Sequence, residues 1–244
     1  LKKFITNNAY KDLTSKYSWS KRAEKIIKSN HEANKVIIFN TNLDGGGAEN
    51  VLTIITNNLI AKRVDVTLIL SKKRGEYLEF LDKRVKIIDL NKSRTIYCFF
   101  DLFKYIIKNK PDYFFSTIVN SNLLIIFLKK LLIFSNFKVI VRESNHLSKK
   151  LEANIWLNII MRIASKTFYR FSDKIISPTQ VKPNDLINNF NVPKKKIKII
   201  NNPAEINKIK KLSNRQVRRI LPKNYLIAVG RLTFQKNYEF MINS

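Results

Sequence analysis

Three groups of residues in this chain have the types and spacing to do chemistry. Gly45, Gly46 and Gly47 follow the apolar run Val36–Phe39 and precede Val51, Ile54, Ile55, Asn58 and Leu59, which recur at three- and four-residue steps. That is a buried strand, a glycine turn and the opening of a helix. Residues without Cβ let a ligand or another backbone come close, and the free amides of a helix start attract negative or hydroxyl-bearing groups. Arg231 and Lys236 follow a second apolar run, Tyr225–Val229, through Gly230. A guanidinium takes phosphate oxygens in a bidentate fork and an ammonium adds a point charge, although two cations in so basic a chain are by themselves ordinary solvated surface. Arg142, Glu143 and His146 gather just beyond the run Lys138–Val141, as candidates for binding or proton transfer.

The glycine turn admits three readings. A dinucleotide site needs G-x-G-x-x-G and an acidic residue at the end of the second strand; here the triplet is GGGA, and Val64–Leu70 runs into Ser71, Lys72 and Lys73. That weighs against NAD and a Rossmann oxidoreductase. A nucleoside-triphosphate loop fails because no Gly-Lys-Ser/Thr follows. Glycines that merely permit a tight strand-to-helix turn remain open on the motif alone.

The elements that position these residues alternate. After the first strand and helix come strands over Val64–Leu70 and Val85–Leu90, and then a helix from about Cys98 to Lys108, ended by Pro111. Strand Tyr113–Ser116, helix Ser121–Phe134 and strand Lys138–Val141 follow. A long helix over about Leu151–Phe171, strand Lys174–Ser177, helix Gln180–Asn189 and strand Ile197–Ile200 complete the regular part. Strands separated by helices predict an α/β, Rossmann-like parallel sheet with helices on both faces, whose ligands lie beyond the carboxyl ends of the strands. Residues 203–222 read as a basic linker, and residues 223–244 as the start of a second, incomplete Rossmann-like domain; one strand and part of a helix bury too little to fold alone. Residues 1–34 read as a helical segment that pairs with no strand, which predicts a domain proper over 35–202.

Composition narrows the partners. The chain has 46 Lys and Arg against 18 Asp and Glu over 244 residues, a net charge of +28. Abundant Lys, Asn, Ile and Phe is what AT-rich coding produces, yet the resulting field still favours anionic partners: nucleic acid, acidic headgroups or phosphorylated small molecules. A single cysteine, Cys98, excludes a disulfide scaffold and fits a reducing compartment, and no metal site is indicated. The most apolar stretch, Leu123–Phe134, is short and broken by Lys129 and Lys130, which predicts a buried or interfacial helix rather than a span.

Four local patterns, in this order, make the chain resemble a retaining glycosyltransferase of the GT-B fold, family 4. GGGAENVLTIITNNL is similar to the family's Gly-Gly-Ala-Glu-Arg turn and helix, with Asn50 in the usual Arg place. DKIISPTQ resembles its Asp-x-Ile-Ile-x-x-Ser strand, KIKIINNPAE the segment joining its two domains, and LIAVGRLTFQKNYEFMI the opening of its donor domain, Gly-Arg-Leu-x-x-x-Lys. The first 30 residues, with Tyr17, Ser18 and Trp19, resemble the final helix of a similar enzyme, and an ordinary amphipathic helix is the alternative.

The resemblance implies an acceptor-side domain at 35–202 and a donor domain beginning near residue 223. Arg231 and Lys236 become the donor-diphosphate pair, where negative charge grows as the glycosidic bond breaks. Gly45–Gly47 face the donor phosphates and reacting sugar across the cleft, and Arg142, Glu143 and His146 become acceptor-side candidates. The family often has His directly after this strand; here Arg142 and Glu143 stand there and His146 comes later. The implied donor is a UDP- or GDP-sugar with no other cofactor. The acceptor is a glycan or lipid-linked sugar in bacterial surface polysaccharide synthesis, such as lipopolysaccharide, on the cytoplasmic face of the inner membrane, where the basic surface would meet anionic lipid. The family's Glu-x7-Glu pair falls beyond Ser244, so the chain reads as a fragment without measurable transferase activity of its own. A basic nucleic-acid-binding module or a non-catalytic nucleotide-binding module is the alternative, supported by charge alone and by no recognisable nucleic-acid motif; no nucleic-acid partner is expected.

Overall fold

A computed structural model describes residues 35–143, 155–214, 228–230 and 237–242. The segment 1–34, His146, Arg231 and Lys236 lie outside the described residues, as does most of the strand read at Tyr225–Val229. The chain divides into two compact units, Leu1–Ala204 and Glu205–Ser244.

In the first unit, seven strands form one sheet in the order β3-β2-β1-β4-β5-β6-β7. They are β1 (Lys35–Asn40), β2 (Asp65–Leu70), β3 (Lys86–Asp89), β4 (Tyr113–Ser116), β5 (Lys138–Arg142), β6 (Lys174–Ser177) and β7 (Ile197–Ile199). Every neighbouring pair is parallel. Strands covered on both faces lose the in-out alternation, so KVIIFN and DVTLIL read as continuous apolar runs. The chain reverses its winding between β1 and β4, which places the switch point of the sheet there.

The connecting helices are α1 (Gly47–Ala61), α2 (Phe99–Asn109), α3 (Val119–Leu131), α4 (Ile155–Phe168) and α5 (Lys182–Phe190). Two cores result. Ile38, Leu68, Leu70, Phe115 and Ile176 pack under α1 with Leu52, Ile55 and Leu43. On the other face Phe39, Phe114, Val139 and Val141 pack with Leu102 and Ile106 of α2, Ile125 and Leu128 of α3, and Phe190 of α5. Each fully buried Leu, Ile or Phe contributes about 1.5–3 kcal/mol over its exposed state. Helix α2 stops at Lys110, which turns left-handed at φ 44° directly before Pro111.

Helix α3 corrects the helix read at Ser121–Phe134 in its bounds. The helix starts earlier, at Val119, and ends at Leu131, and Leu124, Ile125, Ile126 and Leu128 lie in the core. Ile133 and Phe134 follow it in irregular chain and are 73% and 99% exposed. In the second unit, the basic stretch after Pro203 contains helix α6 (Ile206–Ser213), and a short helix α7 (Tyr238–Ile242) follows Asn237.

Candidate functional site

The carboxyl ends of β1, β4, β5 and β6 carry a set of buried polar residues that an apolar core does not need: Asn40, Ser116, Thr117, Arg142, Glu143 and Ser177, none more than 2% exposed. The register aligns them. Phe39 pairs with Ser116, and Ser116 with Val141, so Asn40, Thr117 and Arg142 follow side by side at the ends of three adjacent strands.

The glycine turn stands over the same edge. None of Gly45, Gly46 and Gly47 takes a left-handed φ; Gly75 is the glycine that does, among the described residues. Gly46, the N-cap of α1, is extended at φ −122° and ψ 158°. A Cβ on Gly47 would meet nothing within 4 Å, one on Gly45 would meet only the end of the Glu76 side chain, and one on Gly46 would fall 2.1 Å from Glu49 Oε2, so the Glu49 side chain would have to move. No left-handed backbone conformation therefore demands glycine at these three positions. What the triplet leaves is side-chain-free backbone at an amino-terminal helix end, exposed at Gly45 and Gly47 and half-buried at Gly46. Gly75, at φ 120°, is the structural glycine: a Cβ there would overlap the Leu43 carbonyl. This close approach lets Leu43 donate from its amide to Arg74 O at 2.9 Å and accept from Tyr77 N at 3.1 Å, fixing the loop before the triplet.

Arg142 and Glu143 are both 2% exposed. Arg142 Nη2 donates to Asn202 Oδ1 at 2.6 Å, while Nη1 has no partner. Burial pulls the Arg142 guanidinium down from its usual range, and the carboxylates of Glu143 and Glu49 oppose that. Burial also lowers Lys182, at the start of α5, and the neighbouring Arg142 charge adds to the effect. Glu143 Oε2 accepts from the Tyr169 hydroxyl at 2.8 Å. Asn122 Nδ2 donates to that hydroxyl at 3.2 Å and to Arg142 O at 3.3 Å, and Asn122 Oδ1 accepts from Ser116 Oγ. Burial, then the Glu143 charge, drives the Tyr169 phenol well above its ordinary range.

Of the residues that sequence singles out, the described structure brings Gly45–Gly47, Arg142 and Glu143 to one edge of the sheet. Asn122, Tyr169, Asn202 and Glu49 were not singled out by sequence, because their roles depend on pairings across tens of residues. A signal for Asn122 was present: an Asn amid the otherwise apolar helix VNSNLLIIFL has to find partners if buried.

The sequence model described as Glycosyltransferase Family 4 matches residues 45–208. The chain belongs to glycosyltransferase family 4. An uncharacterized glycosyltransferase of Methanocaldococcus jannaschii is 33% identical over 154 residues, covering 59% of this chain and 38% of that protein. Among solved structures, Anabaena HepE in complex with UDP aligns with a TM-score of 0.54 at 14% identity, over 71% of this chain and 45% of HepE. The lipopolysaccharide outer core galactosyltransferase WaaB, in its apo form, aligns with a TM-score of 0.50 at 14% identity, over 70% and 46%. The chain thus spans less than half the length of these relatives, and the parallel sheet with its surrounding helices is the α/β fold of GT-B glycosyltransferases.

Proposed function

We propose that this family 4 chain is the acceptor-side part of a retaining glycosyltransferase that moves a sugar from a UDP- or GDP-sugar to a glycan or lipid-linked acceptor in bacterial surface polysaccharide synthesis. The observation that carries the reading is Gly47: it sits at the start of α1, at the sheet's switch-point edge, where neither φ nor packing demands glycine. Bare amides at a helix start suit donor phosphates. Arg231 and Lys236 are proposed as the diphosphate cations on the strength of their Gly-Arg-Leu-x-x-x-Lys motif. Arg142 and Glu143 belong to the acceptor side, with His146 beyond them in sequence. In a retaining transfer the leaving phosphate assists on the face that the acceptor attacks, and the product keeps the anomeric configuration of the donor sugar. The neighbour's bound UDP supports a nucleotide donor.

Contact with the cytoplasmic face of an anionic membrane is part of the proposal. Its support is the net charge of +28 and the apolar pair Ile133–Phe134, exposed beside Lys130.

Titration of the purified chain with UDP, GDP and NAD, followed by saturation-transfer NMR, tests the donor side. UDP or GDP binds, NAD does not, and Gly47→Phe abolishes binding without lowering Tm. NAD binding in preference to both, or equal nucleotide binding by the wild-type and Gly47→Phe chains, overturns the reading.

A further inference from the structure

The chain's exit from the first unit is held at three points between Ile200 and Pro203. Ile200, directly after β7, donates from its amide to Ser177 O at 2.9 Å, and its side chain is buried in the core under α1. Asn202 is exposed, yet its side-chain oxygen accepts from the buried Arg142 Nη2 at 2.6 Å. Pro203 is buried again. Backbone chemistry adds stiffness at the same place, because the ring of Pro203 fixes its own φ near about −65° and restricts Asn202 to extended conformations.

The second unit starts almost at once. Its helix α6 has Glu205 as N-cap, and Ile209 N donates to Glu205 O at 2.9 Å, so Glu205 already carries the first helical bond. Between the buried Pro203 and that cap stands Ala204, which is exposed. The division between the two compact units falls at the same place, between Ala204 and Glu205. Each residue has only two soft backbone angles, so the freedom left here is ψ of Pro203, both angles of Ala204 and φ of Glu205.

We propose that the joint between the two units is confined to Ala204 and Glu205, and that Arg142 is the positioning residue that confines it, by holding Asn202. The bond resists displacement because withdrawing the acceptor would leave a buried charged donor unmade. Asn202 is exposed, so little packing stands in for the bond, and without it the joint would run back toward Ile200. Arg142 ends β5 on the edge that carries the glycine turn, so the joint cannot shift along the chain without disturbing that edge. The use of the joint in sugar transfer rests on the glycosyltransferase reading above; the latch stands on this geometry alone.

Backbone order parameters from nitrogen-15 relaxation of the whole chain test the confinement. Asn202 should be as rigid as the strands, at about 0.85, and Ala204 and Glu205 should fall below both Asn202 and the amides of α6. Asn202→Ala should extend the drop back to Asn202 and speed hydrogen exchange at the Ile200 amide by at least about tenfold. Asn202→Asp, which keeps an acceptor for Arg142, should behave as the parent. Leu90, whose amide donates to Leu70 O at the far edge of the sheet, is the control, and its exchange should stay within about twofold in both variants. In the parent chain, a drop that begins before Pro203, or none at Ala204 and Glu205, overturns the proposal without any variant having to fold. Equal acceleration at Ile200 and Leu90 in Asn202→Ala also overturns it, as the mark of a general loss of stability, and so does unchanged exchange at Ile200.

Discussion

Arg142 Nη2 reaches Asn202 Oδ1 at 2.6 Å across sixty positions of sequence, tying the carboxyl end of β5 to the segment that leaves β7. The guanidinium is buried and its other terminal nitrogen has no partner, so Asn202 is its one side-chain acceptor among the described hydrogen bonds. Asn202→Ala should therefore destabilise the chain by about 2 kcal/mol, the cost of leaving a buried charged donor unmade. Asn202→Asp keeps an acceptor and should stay within about 1 kcal/mol of the parent. Urea unfolding read at constant slope checks both; equal midpoints for all three chains would show the contact to be energetically idle.

The two classes of glycine predict opposite responses. Gly75 lies at φ 120° with its missing Cβ against the Leu43 carbonyl, so Gly75→Ala should cost at least about 2 kcal/mol from backbone strain and the forced shift of that loop. Gly47 opens a helix at a φ that any residue adopts, with nothing near its Cβ position. Gly47→Ala should leave stability unchanged or raise it by up to about 1 kcal/mol. Thermal melting of the pair decides the matter, and a destabilised Gly47→Ala would restore a structural role for the triplet.

Much of this arrangement is written locally. Runs such as Val36–Phe39 and Tyr113–Ser116 are too short and too β-branched or aromatic for helices, and alternation with amphipathic segments leaves a parallel sheet as the simplest closure. The glycine turn and the Arg142–Glu143 pair were legible for the same reason, since a strand end followed by polar residues marks the ligand edge of such a sheet. The Glu143–Tyr169–Asn122–Ser116 chain of hydrogen bonds was not legible. It joins a strand end, a 3-10 turn, a helix and another strand, and only sheet register brings them together. The exposure of Phe134 was equally hidden, because apolar residues just past a helix end carry no periodicity to say which side they face.

Tyr169 gives a pH prediction with a definite sign. Its phenol is fully buried, donates to the Glu143 carboxylate, and is held well above its ordinary value of 10.0 by burial and then by that charge. A group with a raised folded-state pKa contributes stability that is complete below the unfolded value and is lost as pH rises toward the folded one. Stability should thus fall with increasing pH above about 10, where only the unfolded chain ionises this residue. Tyr169→Phe should lose stability at neutral pH, by about 1–2 kcal/mol for the broken hydrogen bonds, and should show a shallower alkaline decline. Parallel slopes for the two chains above that pH would remove Tyr169 as the cause.

At the amino ends of β5 and β6, Lys138 and Lys174 lie exposed, and Lys174 Nζ donates to Lys195 O at 3.2 Å. Lys196 is lowered by burial and by the crowded charges of Lys195, Lys174 and Lys129, with Asp173 the carboxylate that opposes them. Lys130 stacks over the Phe171 ring at 4.6 Å, and Ile133 and Phe134 project nearby in sequence with 73% and 99% of their surface exposed. Each lysine held near an anionic leaflet contributes about 1 kcal/mol, and an apolar pair placed among them can enter the interface. Sedimentation with phosphatidylglycerol-containing vesicles should therefore exceed that with neutral vesicles and fall as salt is raised. Phe134→Ser together with Ile133→Ser should weaken it severalfold while leaving Tm in place, because neither side chain packs in the core. Binding indifferent to anionic lipid, to salt and to this double substitution would leave the edge as ordinary solvated surface.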